Sequence, residues 1–198
     1  MILHRLLSHR GGASAAEFGI VLPLFILFIL GIIDVGRWMY AYNRMEKATQ
    51  VGARVAVVTD YLSTAVGVNY SGTTCGGTTL QQGDRIPAAC LTNVSCSSSS
   101  CSPGGSTATY SAKFGQISTR MKWMFHEIQD SNITVEYTQS GLGYAGNPNG
   151  PDLAPVVTVR LSGMTFTPLA CELVGCSFTM PAFVSSLTFE DGIGAQSN

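Results

Sequence analysis

The chain has 198 residues, room for one domain of ordinary size and an appendage. Only 12% are charged, about half of the roughly 25% of an average soluble domain, while 45% are hydrophobic. A net charge of -1, with no basic run interleaved with aromatics, gives nucleic-acid binding no electrostatic footing and excludes it as the primary function. The missing charge has two locations: Phe18–Ile33 has none, and Tyr61–Ala112 has only Asp84 and Arg85.

Residues 1–12 (MILHRLLSHRGG) form a short basic leader with Arg5 and Arg10. Ala13–Ala16 follow, then Glu17, then an uncharged run of 16 residues, Phe18–Ile33. As a helix such a run spans about 24 Å, short of the roughly 30 Å hydrocarbon core, and the small residues before it can extend it into a membrane anchor. Two plainer readings compete. One is a secretory signal peptide, but the run is long for one and leads into Asp34 and Arg37 without a small-x-small cleavage site. The other is a simple uncleaved anchor.

Glu17 sharpens the choice, because a carboxylate at the edge of an apolar helix is costly unless neutralised or paired. Gly12 lies five residues before it, a spacing that resembles the type IV prepilins and pseudopilins. The resemblance implies cleavage between Gly12 and Ala13 by a prepilin peptidase, with Glu17 as fifth residue of the mature chain. The carboxylate could then pair with the amine of Ala13 on its own or a neighbouring subunit. Phe18 departs from the Tyr usual in Flp-type pilins. Cleavage would remove Arg5 and Arg10, leaving 9 basic against 12 acidic residues.

From Asp34 to Val57 the chain reads DVGRWMYAYNRMEKATQVGARVAV. Good helix formers fill its middle, and no Pro occurs between Pro23 and Val58, so the spacing predicts one helix continuing out of the membrane over 13–60. Pro23 removes one backbone donor and predicts a mild kink. Trp38, Tyr40 and Tyr42 suit the headgroup layer, and Arg37, Arg44 and Lys47 mark the exit to water. Val51, Val55 and Val58, extended by Ala48, share a face that would pack on the following domain. Glu17-Phe18, Leu22-Pro23, Asp34 with Gly36 and Arg37, and Ala48 with Gly52, Ala53 and Arg54 together resemble the TadE/TadG-like family of tight-adherence (Flp) pilus assembly proteins. The resemblance covers about 45 residues. It implies a non-enzymatic, pseudopilin-like structural component that associates with membrane lipid and with other pilin, pseudopilin and pilus-assembly subunits.

All six cysteines (Cys75, Cys90, Cys96, Cys101, Cys171, Cys176) follow the anchor, which suits an oxidising compartment. The expected topology is a single pass through a bacterial inner membrane, with the N-terminus cytoplasmic and the C-terminal domain periplasmic or extracellular. Of 15 pairings, three local bridges are expected: Cys75–Cys90, Cys96–Cys101 and Cys171–Cys176. The rival for the two C-x4-C pairs is a four-thiolate zinc site, though zinc knuckles are usually tighter. Residues 61–112 read as a bridged loop region poor in large apolar side chains.

Residues 113–198 read as an exported α+β domain. Lys113–Asp130 places Phe114, Ile117, Met121, Met124 or Phe125, and Ile128 at helical spacing. Asn132–Thr138 alternates as a strand, Gln139–Pro155 is a Gly/Asn/Pro loop, and Val156–Leu161 and Ser185–Phe189 complete a small antiparallel sheet. The fold class is therefore α+β: a long N-terminal transmembrane helix continuing into a small domain with a second helix and an antiparallel sheet. In layout this looks like a pilin or pseudopilin.

Catalytic chemistry finds little support. His4 and His9 lie in the leader, and His126 stands beside Glu127 with no further partner at a suggestive spacing. Gly141, Gly143 and Gly146 match G-x-G-x-x-G by letter, yet Asn147 and Pro148 follow where a helix would start, so the segment reads as a turn. No cofactor is expected, and an envelope hydrolase is the weakest reading. Asn69, Asn93 and Asn132 head glycosylation triplets that arise often by chance. The alternative to a structural role is a membrane-tethered adhesion module displaying the bridged loop, with Tyr70, Tyr110, Tyr144 and Trp123 as contacts.

Overall fold

The computed structural model describes residues 10–90, 92–148, 150–172 and 175–189; for 10–13 and 172 it describes the backbone alone. The basic leader up to residue 9, with Arg5, His4 and His9, lies outside the described residues.

Helix α1 runs unbroken from Arg10 to Val58 and passes through Pro23. Its end is marked by Thr59, whose Oγ1 donates to the Val55 carbonyl at 2.6 Å and so competes for an acceptor of the last turn. The 61–112 segment then contributes four short strands: β1 (Thr74–Cys75), β2 (Thr78–Thr79), β3 (Val94–Cys96) and β4 (Cys101–Ser102). Helix α2 covers Tyr110–Met124. Strands β5 (Ile133–Thr138) and β6 (Val156–Leu161) follow. The chain continues through β7 (Thr165–Phe166), the single turn α3 (Leu169–Glu172), β8 (Phe178–Thr179) and β9 (Phe183–Thr188).

Five strands form one antiparallel sheet in the order β4-β3-β5-β6-β9, while β1-β2 and β7-β8 are two-stranded. The register sets Val135 opposite Val159 and Tyr137 opposite Val157, Cys96 opposite Val135 and Leu161 opposite Phe183. One sheet face is thereby almost wholly apolar. The other carries polar pairs such as Arg160–Glu136 at 3.4 Å and Thr158–Ser186 at 2.8 Å.

The chain divides into two compact units. The first takes α1 through Ala41 together with Thr165–Phe178. The second takes Tyr42–Met164 and the residues from Thr179 onward. In the second unit the core joins the apolar sheet face to Tyr110, Phe114, Ile117 and Met121 of α2 and to Met45, Ala48, Gly52, Ala53 and Ala56 of α1. A satellite cluster of Tyr70, Leu80, Ile86, Ala145 and Leu153 packs with Cys75 and Cys90.

Three expectations change. The second helix is Tyr110–Met124, shifted toward the N-terminus from Lys113–Asp130: Phe125 is extended (φ -147°, ψ 110°) and ends it, and Ile128 reaches the core from the turn that follows. The face of α1 packed on the domain is not the valine stripe, since Val51, Val55 and Val58 are only half-buried. The small-residue side at Ala48, Gly52, Ala53 and Ala56 is buried instead. Residues 61–112 are more than a bridged loop: they supply two strands of the main sheet and bury Leu62, Val66, Leu80 and Ile86.

Candidate functional site

The first half of α1 is the most unusual surface of the chain. Its apolar side chains point away from the protein, with Phe18 64%, Ile20 78% and Leu24 73% exposed. A helix exposing that much hydrocarbon is stable where the surroundings are themselves apolar. Gly12, Ala13 and Glu17 occupy its first turns, and the Glu17 side chain is exposed. Pro23 lies inside the helix, where its missing N–H removes one bond from the ladder.

At the end of the uncharged run, Asp34 is buried. Its Oδ1 accepts from the Leu169 N–H at 2.8 Å and its Oδ2 from the Ala170 N–H at 3.1 Å. The Arg37 guanidinium donates to Oδ1 at 3.0 Å and lies 5.5 Å from the centre of the Phe166 ring. Asp34 thus caps α3, satisfying amides that a helix start leaves without carbonyl partners, and Arg37 satisfies the charge that does so. These contacts join two segments 135 residues apart. Gly36 has nothing near its would-be Cβ, so no close approach within this chain demands a glycine there.

Farther along, a Cβ on Gly52 would stand 2.6 Å from Met121 Sδ and 3.3 Å from Val159 Cγ1. The helix approaches α2 and the sheet through this bare backbone, and buried Ala53 beside it keeps the approach close. Arg54 on the opposite side is exposed.

The cysteines form the three local disulfides Cys75–Cys90, Cys96–Cys101 and Cys171–Cys176, with no free thiol. The sulfurs of the two C-x4-C pairs are therefore bonded to each other, which overturns the rival thiolate zinc site. Among the described residues, no group of three His, Cys, Asp or Glu side chains could hold a metal.

The four aromatic contacts expected of an adhesion module separate. Tyr70 and Tyr110 are buried, whereas Tyr144 and Trp123 are 63% and 61% exposed. Burial raises the phenol pKa of Tyr70 and Tyr110 above the ordinary tyrosine value. The Arg120 guanidinium lies 4.5 Å from the Trp123 ring centre. His126 and Glu127 are exposed in the turn after α2. Gly141, Gly143 and Gly146 all take positive φ in a loop, and among the described residues the next regular element is β6.

Sequence reasoning missed Asp152. It is buried and accepts from the Tyr70 N–H at 2.6 Å, the Gly146 N–H at 2.8 Å and the Asn147 N–H at 2.8 Å. One carboxylate thereby ties the glycine loop to the 61–112 segment, and the only local signal was an acidic residue inside a Gly/Asn/Pro stretch.

Taken together, the fold defines a protein with, among the described residues, one N-terminal helix long and apolar enough to cross a membrane, continuous with an α+β domain; this suggests membrane anchoring. Residues 12–54 match the family model of the TadE-like proteins. That match contains every motif residue discussed for α1, from Gly12 to Arg54. No significant match to a curated protein or to a solved structure accompanies it.

Proposed function

We propose that the chain is a membrane-anchored, pseudopilin-like structural component of a tight-adherence pilus assembly and secretion machine of the Flp type IVb kind. The observation that carries this reading is one continuous helix in which Gly12, Ala13 and Glu17 precede an outward-facing apolar run, all inside the TadE-like match. In this proposal a prepilin peptidase removes the leader after Gly12 on the cytoplasmic side of the inner membrane. The new amine of Ala13 then pairs with Glu17 of its own or an adjacent subunit, so that neither charge stands alone in lipid. The bare apolar helix supplies lateral contacts with other pilin and pseudopilin subunits, and the disulfide-bridged domain projects into the periplasm or beyond.

Mass spectrometry of the protein extracted from membranes of its native host should find the N-terminus at Ala13. An intact Met1 terminus in cells with active prepilin peptidase would remove the processing step. Glu17→Ala should abolish or strongly reduce piliation while leaving membrane insertion intact, and normal piliation would remove Glu17 from assembly. The adhesion module is the weaker reading, because Tyr70 and Tyr110 contribute to the core rather than to a binding face.

A further inference from the structure

The hairpin at residues 165–178 is tied to α1 at one level along the helix axis. Leu169 and Ala170 donate their amides to Asp34, and Phe166 lies under the Arg37 guanidinium. Asp34 is the residue immediately after the uncharged run. A bilayer with its headgroups is about 40–45 Å thick and the run covers about 24 Å, so a centred run leaves about 9 Å, or roughly six residues, at each end before water, about the first 3 Å at the edge of the hydrocarbon and the rest in the headgroup layer. Asp34, Val35 and Trp38 fall in that interval, and the hairpin held by Asp34 falls there with them.

The hairpin's composition suits that layer. Thr165–Phe178 reads TFTPLACELVGCSF, with Glu172 as its one ionisable residue. Its Phe178 is 57% exposed. Val35, Trp38, Phe166, Pro168 and Phe178 line, with Asp34, a shallow recess of about 220 Å³. The charge most costly to place near lipid, the Asp34 carboxylate, already has two amides and a guanidinium around it.

We propose that the 165–178 hairpin is a second membrane contact, laying the exposed Phe178, with the half-buried Phe166 that lines the same recess, into the headgroup layer of the bilayer that α1 crosses. The occupant of the recess is lipid, whose acyl chains meet aromatic rings at the boundary as they do at other membrane interfaces. The hairpin would resist tilting of the anchor, since an off-axis contact at the membrane surface adds a second point of support. This inference rests on the anchoring role of α1.

The test uses the full chain in phosphatidylcholine vesicles whose acyl chains carry bromine either near the headgroup or near the methyl end. In a Trp38→Phe background, Trp123 serves as an aqueous control and Ile26→Trp reports on the anchor. With Trp123→Phe added, Phe178→Trp reports on the hairpin; the exposure of Phe178 means the replacement opens no cavity. The expected result is a several-fold loss of emission from the indole at position 178 with shallow bromines, less with deep ones, and little quenching by aqueous iodide. Quenching by iodide and not by bromolipid would overturn the proposal. Quenching by neither would also overturn it, in favour of a protein partner such as a second copy of the chain. If the indole at position 26 escapes bromolipid, the anchor itself fails; if it is quenched while that at position 178 is not, only the hairpin contact falls.

Discussion

Asp34 shows how much one side chain can organise. Its residue type and its position after an apolar run were legible, as was the nearby Arg37. Its amide partners at Leu169 and Ala170 were not, because nothing local announces a cap supplied from a segment 135 residues away. Asp34→Ala should therefore leave α1 helical and speed hydrogen exchange at the Leu169 and Ala170 amides by roughly ten-fold or more, the scale of losing a charge-assisted hydrogen bond. Asp34→Asn, which keeps an acceptor without the charge, should fall between. Unchanged exchange at both amides in Asp34→Ala would show that the cap does not hold α3. Tyr137 is a second residue whose burial decides its chemistry. It lies in the core with its hydroxyl oxygen accepting the Leu62 N–H at 3.2 Å, and burial holds its phenol well above the ordinary value, neutral throughout the physiological range. At the surface, the Lys122 ammonium hydrogen-bonds Asp130 at 2.7 Å and holds that carboxyl below its ordinary value; half-exposed, the pair contributes little to stability.

Among the elements, α1 carries two different surfaces on one continuous helix. Apolar residues facing outward fill its first half, while small residues facing inward at Ala48, Gly52, Ala53 and Ala56 join it to α2 and the sheet. A large side chain at Gly52 has no free volume beside Met121 and Val159. Gly52→Leu should destabilise the domain by about 1–3 kcal/mol, the usual cost of overpacking a filled core, seen as a lower denaturation midpoint. Arg54→Ala, two residues on and exposed, should stay within about 0.5 kcal/mol of the unaltered protein. Equal stability of the two variants would mean that the helix does not pack through Gly52. The sequence pattern singles out Val51, Val55 and Val58 because large apolar side chains are the usual mark of burial, whereas close helix packing selects against size. Strands β5 and β6 were legible almost to the residue, since strict alternation on a half-buried sheet leaves a period of two. The end of α2 was not: Ile128 keeps the helical spacing while reaching the core from a turn.

At the scale of the whole molecule, the second unit has a main core around the five-stranded sheet and a satellite core under the 61–112 segment. Cys75 and Cys90 pack against the satellite and close a separation of 15 residues. A bridge over a loop of that length stabilises by about 3 kcal/mol in the chain-entropy account. The double replacement Cys75→Ser with Cys90→Ser should therefore open 70–90 to limited proteolysis while amides of β5 and β6 stay protected. Simultaneous loss of protection in both would mean that the two cores unfold as one.

Composition and order along the chain were enough to establish an apolar helix at the N-terminus, cysteines confined to the region after it, and an α+β alternation, because each depends on local pattern and redox chemistry. The low charge content thus has two causes: an outward-facing apolar helix, and a bridged segment whose few large side chains are gathered into a small core. Tertiary structure alone decided which helix face is buried, that Val94–Cys96 joins the sheet beside β5, and that Asp34 and Asp152 gather distant backbone amides. Those outcomes depend on which surfaces meet, and a buried carboxylate is stable only where the remote donors that surround it have already been brought together by the fold.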